Sequence, residues 1–214
     1  MESRPLKGVV ADEIRNRIIV GALNFGERVS DKDLATELRI SRTPVREAIL
    51  QLQSEGLIVV RPRSGTFVFD LSAEDLREIC ELRGLFEAGA IRIGAHQHDR
   101  MISALTARVA EAALALEAGD FARCERLDTA FHDTLIELSG NKYLIESYRT
   151  ISDKVCALRS RLPQTRDRIA AAIAQHRRIV DLIAVGRTDA AAEEITLHVR
   201  NVHLQLMSQS PEAA

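Results

Sequence analysis

Two groups of residues in this 214-residue chain have types and spacings suited to chemistry. The first is an aspartate and three histidines set on apolar helical stripes. Asp128 and His132 lie one helical turn apart, sharing a face with Phe121, Cys124, Phe131, Leu135 and Leu138. His176 falls between Ile169, Ile173, Val180 and Ile183, and His198 between Ile195, Val202 and Leu206. These two histidines are almost equidistant from Gly186-Arg187, so an antiparallel hairpin turning there brings them level. Together the four residues offer one carboxylate oxygen and three imidazole nitrogens, a set suited to a divalent transition metal: zinc first, with nickel, manganese or iron as options. Taken singly, each histidine also fits a hydrogen-bonded core position, and the residues alone leave both readings open. Arg83 shares a stripe with Ile79, Phe86, Ala90 and Ile93, and a guanidinium directed at an apolar interior needs an anion. Glu87, one turn later, and the carboxylate of a bound small molecule both qualify.

The second group is basic. It runs Ser41-Arg42-Thr43-Pro44-Val45-Arg46-Glu47-Ala48-Ile49, passes through Glu55-Gly56-Leu57, and ends in Arg61-Pro62-Arg63-Ser64-Gly65-Thr66. A hydroxyl cap followed by proline in the first turn opens a helix, because that turn needs no N–H from Pro44. Val45, Ile49 and Leu52 bury one side, Arg42, Thr43 and Arg46 crowd the other, and Gly56 ends the helix. Short β-rich runs at 57–60 and 66–69 flank a basic turn. A shorter capped helix at 30–38 precedes it across Arg39-Ile40, and another runs from Leu6 to about Val20. Helix, turn, helix and basic hairpin have the form of a winged helix-turn-helix, whose recognition helix enters the DNA major groove.

The elements that must position the first group come later. After Asp70 the chain reads helical, at about 72–95, 99–118, 120–138, 141–161, 165–186 and 188–209. Breaks fall at His98-Asp99, Gly119-Asp120, Gly140-Asn141, Pro163 and Gly186. Connections this short set neighbouring helices antiparallel. The expected fold is mainly α: a winged helix-turn-helix over 1–70 and an all-α antiparallel bundle over 71–214. With 29 basic and 31 acidic side chains the net charge is −2, so any nucleic-acid affinity is local rather than global. Cys80, Cys124 and Cys156 form no CxxC and read as buried thiols of a reducing compartment. No signal-peptide core or membrane-length apolar run is evident, which points to a cytoplasmic protein with no membrane partner.

Residues 6–70 resemble the DNA-binding domain of the GntR family of bacterial transcriptional regulators, above all in SRTPVREAILQLQSEGLI and the RSG wing. The resemblance implies DNA contacts at Lys32, Ser41, Arg42, Thr43, Arg46 and the wing around Arg63 and Gly65. Lys32 stands where relatives commonly carry arginine, and lysine holds a phosphate as a point charge without a bidentate fork. Residues 72–209 resemble the FCD effector domain of the FadR-like branch, through LDTAFHDTLIELSGN, AQHRRIVDLIAVGRTDAAAEEI and HVRN. Six helices place it nearest the shorter, VanR-like subgroup. In such domains the positions of Asp128, His132, His176 and His198 hold a metal, and that of Arg83 binds an effector carboxylate.

The resulting expectation is a homodimeric regulator, not an enzyme, that binds double-stranded operator DNA and is released by a small organic or sugar acid. Two alternatives stay beside it. One is a regulator with a structural metal or none that senses an apolar or acyl ligand. The other is a helical metalloenzyme, for which no general base is evident on the mapped stripes.

Overall fold

The computed structural model describes residues 5–208. They divide into two compact units. One holds the chain up to Ser72 together with Asp153–Ser160, and the other holds Ala73–Ser152 and the chain from Arg161 onward.

The first unit is a winged helix-turn-helix. Helix α1 (Leu6–Ile19) buries Val10, Ala11, Ile14 and Ile18. Helix α2 (Asp31–Glu37) starts at Ser30, whose hydroxyl accepts from the Asp33 N–H, and α3 is Arg42–Ser54. Between them Arg39 takes a left-handed φ of 56°, which turns the chain sharply from α2 into α3. The core joins Val45, Ala48, Ile49 and Leu52 of α3 to α1 and to Leu57, Ile58 and Val68 of the wing. Ala157, from the Asp153–Ser160 segment, packs into the same core.

The wing is β2 (Ile58–Arg61) and β3 (Gly65–Val68), paired antiparallel with Arg61 opposite Gly65. Arg63 (φ 62°) and Gly65 (φ 125°) supply the left-handed backbone of its turn. Relative to the expected runs, the strands sit within a residue or two. A third strand, β1 (Arg28–Val29), pairs with β3 and was not expected: two residues carry no alternation to read.

The second unit is all-helical, as expected: α4 (Ala73–Gly94), α5 (His98–Glu117), α6 (Phe121–Glu137), α7 (Lys142–Arg159) as far as Ser152, α8 (Arg166–Ala184) and α9 (Thr188–Met207); the rest of α7 belongs to the first unit. A single 3-10 turn, Ala95–Gln97, joins α4 to α5. Asp120 and Thr165 cap α6 and α8 by accepting the N–H three residues on. Glycines 119, 140 and 186 close α5, α6 and α8 with left-handed φ near 70° (72°, 66° and 73°), a region that glycine enters without steric cost. Helix α4 lies along α9, α5 along α6 and α8, and α8 along α9. The core is aliphatic, with Leu105, Leu135, Ile179 and Ile195 among its fully buried members. Two expected interior positions are less buried than supposed. Ile93 is exposed, lying in the last turn of α4, and Cys156 is half-buried, unlike Cys80 and Cys124.

Candidate functional site

Helices α6, α8 and α9 bring Asp128, His132, His176 and His198 together, with one ligand atom from each inside a span of 4.8 Å. The three histidines are buried in the bundle and Asp128 is half-buried at its edge. His176 Nε2 lies 3.4 Å from His198 Nε2 and 3.6 Å from Asp128 Oδ1. Those separations suit a shared ion, because the edge of a tetrahedral site with bonds of about 2.0–2.1 Å is about 3.3 Å long. Phe131 stacks on His176, with ring centroids 4.0 Å apart and planes 6° from parallel, fixing how that imidazole faces its neighbours.

Two residues not singled out as ligand supports set the tautomers. His132 Nδ1 donates to Glu87 Oε2 at 2.9 Å, and His198 Nδ1 donates to Gln175 Oε1 at 2.9 Å. Both acceptors demand Nδ1–H, which leaves Nε2 as the lone pair that can face a metal. The sequence suggests Glu87 only as a partner for Arg83 and gives no sign of Gln175. Its neighbour His176 belongs to α8, whereas the ring it supports belongs to α9, so only the folded hairpin joins them.

Arg83 lies in the same cluster and is buried. Its Nε donates to Glu87 Oε1 at 2.7 Å and its Nη2 to His132 Nε2 at 3.0 Å, while Tyr148 Oη donates to Glu87 Oε1 at 3.4 Å. Burial by itself would push the Glu87 carboxyl up, but the Arg83 guanidinium and His132 outweigh it and hold the group well below the usual carboxylate range. Burial lowers both His132 and His198. For His198 the neighbouring His176, His132 and Arg83 add to the effect. Both imidazoles are therefore neutral, the form in which histidine binds metal.

The first unit carries the residues expected to contact DNA. Lys32, Ser41, Arg42, Thr43, Arg46 and Arg63 are exposed, and Gly65 is half-buried. Ser41 occupies the N-cap of α3, but its hydroxyl accepts no helix N–H, contrary to the expected cap. Arg42 and Arg46 converge on Asp31, for which the sequence suggests no role. Arg42 Nη2 donates to both Asp31 oxygens at 2.8 and 3.0 Å, and Arg46 Nε donates to Asp31 Oδ2 at 2.6 Å. Those hydrogen bonds, from Arg42 first, hold the Asp31 carboxyl below its ordinary range. An open groove of about 680 Å³ runs between these residues, Arg28 and the wing at Gly65. Arg28 approaches Gly65 so closely that a Cβ there would lie 3.1 Å from its Nε. On the wing itself, Arg61 stacks over Phe67, 4.8 Å from the ring centroid.

A winged helix-turn-helix with exposed arginines at the start of α3, carried with a helical domain that gathers an Asp and three His, defines a DNA-binding protein with a second, candidate metal centre. Residues 6–68 match the family described as bacterial regulatory proteins, gntR family, and residues 78–201 match the FCD domain. The chain is 31% identical over 185 residues, 85% of each protein, to the Nta operon transcriptional regulator of Aminobacter aminovorans. It is 29% identical over 203 residues to a probable D-xylose utilization operon transcriptional repressor of Paenarthrobacter nicotinovorans, spanning 92% of this chain and 88% of that one. The fold is shared with a GntR regulator from Rhodococcus sp. RHA1: TM-score 0.80, 23% identity, 95% of this chain and 98% of the other. The chain belongs to the GntR family of transcriptional regulators and carries an FCD domain. It is a DNA-binding regulator, not an enzyme. Among the described residues no helix is long and apolar enough to cross a membrane.

Proposed function

We propose that this protein is a cytoplasmic, metabolite-responsive repressor, with operator reading in residues 1–70 and effector binding and dimerisation in 71–214. Arg42 and Arg46 read base edges in the major groove, beside Ser41 and Thr43. Lys32 holds a phosphate, and Arg63 and Gly65 bring the wing onto the backbone. A homodimer presents two such readers to the half-sites of a two-fold-symmetric operator.

Asp128, His132, His176 and His198 hold a divalent metal, zinc before nickel, manganese or iron. The observation that carries this reading is the convergence of four ligand atoms within 4.8 Å while Glu87 and Gln175 hold two of the imidazoles in the metal-binding tautomer. When bound, the metal supplies a Lewis-acidic point for an oxygen ligand. Arg83, fixed by Glu87, supplies a second positive group beside it. A small carboxylate fits that pair, because both charges offset its loss of water. The D-xylose utilization operon in one relative's name supports a sugar or organic acid over a lipid. An acid that binds better to the arrangement unable to hold the operator lowers DNA affinity by that differential.

The test is metal content. Protein purified without chelator should carry about one transition-metal ion per chain, and His132→Ala, His176→Ala and His198→Ala combined should carry none. Full occupancy in the triple variant would refute the site.

A further inference from the structure

Arg83 and Glu87 do more than pair with each other. Glu87 uses its two oxygens separately, Oε1 for Arg83 Nε at 2.7 Å and Oε2 for His132 Nδ1 at 2.9 Å. Arg83 then closes a ring by donating from Nη2 to His132 Nε2 at 3.0 Å. Guanidinium has no acceptor, so Nε2 must present its lone pair to Arg83. An imidazole nitrogen has one such pair. It is the same pair that His132 must give to a metal, since Nδ1 is committed to Glu87.

From this geometry we infer that Arg83 is the placeholder of the metal site, and that metal entry exchanges its partner. Arg83 Nη2 occupies the His132 lone pair and keeps a buried imidazole satisfied. When metal takes Nε2, Nη2 is displaced while Nε stays anchored on Glu87. A buried, charged donor is left without an acceptor beside the ion, which is costly until an anion arrives. Metal loading thus turns Arg83 from a histidine partner into a carboxylate receptor, and metal and anion bind cooperatively. Glu87 is the positioning residue for both states. This deepens the proposed effector site and rests on the reading that the four residues bind metal.

The experiment is zinc affinity of the full-length chain, measured by competition with a chromophoric chelator, for wild type, Arg83→Gln and Arg83→Lys. Glutamine keeps a donor for Glu87 but frees His132. Lysine keeps the charge, and its shorter ammonium can stay on Glu87. Both variants should bind zinc more tightly than wild type, by on the order of tenfold, because no hydrogen bond from a charged donor need be broken first. Weaker or unchanged affinity in both would show that Arg83 only buttresses the fold, overturning the exchange. Tighter binding in Arg83→Gln alone would reduce the effect to charge repulsion and also overturn it. A wild type that binds no zinc would instead refute the metal reading itself.

Acetate supplies the second arm. It should raise zinc affinity in wild type and do so much less in Arg83→Gln, whereas equal enhancement in both contradicts a receptor role. Should Arg83→Gln fail to fold, nitrogen NMR of wild type decides. Zinc should shift the Arg83 Nη signals and leave Nε nearly in place, and unmoved Nη signals would overturn the exchange.

Discussion

At the scale of single residues, Asp31 is the clearest example of a group whose role depends on geometry. It accepts from both Arg42 and Arg46, so the two arginines are held at the start of α3 before any DNA arrives. Their exposure, 51% and 60% of each side chain, leaves them reachable. Changing either arginine to Ala should cost roughly 1–3 kcal/mol on the operator and relax preference at one base pair. Lys32→Ala should weaken specific and random DNA about equally. Asp31→Asn removes a negative charge near the phosphates and also the brace, so affinity for random DNA should rise while the ratio of specific to random binding falls. Competition titrations with operator and random duplexes read all of these, and an unchanged ratio in Asp31→Asn would remove the brace from the account. The histidines give a second residue-scale prediction. His132 and His198 stay neutral below their ordinary 6.5 in the folded chain, whereas the unfolded chain takes up protons there. The unfolded state therefore binds more protons as pH drops, so stability is full above about 6.5 and falls as pH falls below it. Urea midpoints of metal-free protein should decline between about pH 7 and pH 5. A flat profile would mean that these rings are not buried neutral.

At the scale of elements, the proposed metal ligands come from α6, α8 and α9, so an ion held there would tie together three helices separated along the chain. Chelator should lower the thermal midpoint of wild type and leave His176→Ala almost unmoved, as differential scanning fluorimetry would record. An equal drop in both would place the stabilising metal elsewhere. The helices themselves were legible in the sequence because each is bounded by a residue with a local physical reason to end or begin it. Gly119, Gly140 and Gly186 take left-handed φ, and Asp120 and Thr165 cap the helices that follow. The meeting of His176 and His198 was legible for the same reason, since their register follows from the position of one turn. Strand β1 was not: Arg28 and Val29 become a strand only by pairing with β3. Gln175 and the second oxygen of Glu87 escaped likewise, because each acts on a ring in another helix and no spacing along the chain encodes that contact. Asp31 was hidden by its position. It begins α2, where an acidic residue is already explained by the helix dipole.

At the scale of the whole molecule, the chain combines a DNA reader with a buried polar cluster that is costly to build unless it binds something. Arg83, Glu87 and three histidines inside one aliphatic bundle displace side chains that would stabilise it by packing. Membership of the GntR family with an FCD domain is the frame in which that cost has the use proposed above: an effector site whose occupancy would change affinity for DNA. The most direct test is operator binding by metal-loaded protein, followed by fluorescence anisotropy against a panel of organic and sugar acids. At least one acid should release the operator from wild type, and the same acid should leave metal-stripped His176→Ala bound to DNA at every concentration that releases the wild type. Release that is equal in both proteins would contradict an effector site built on Asp128, His132, His176 and His198.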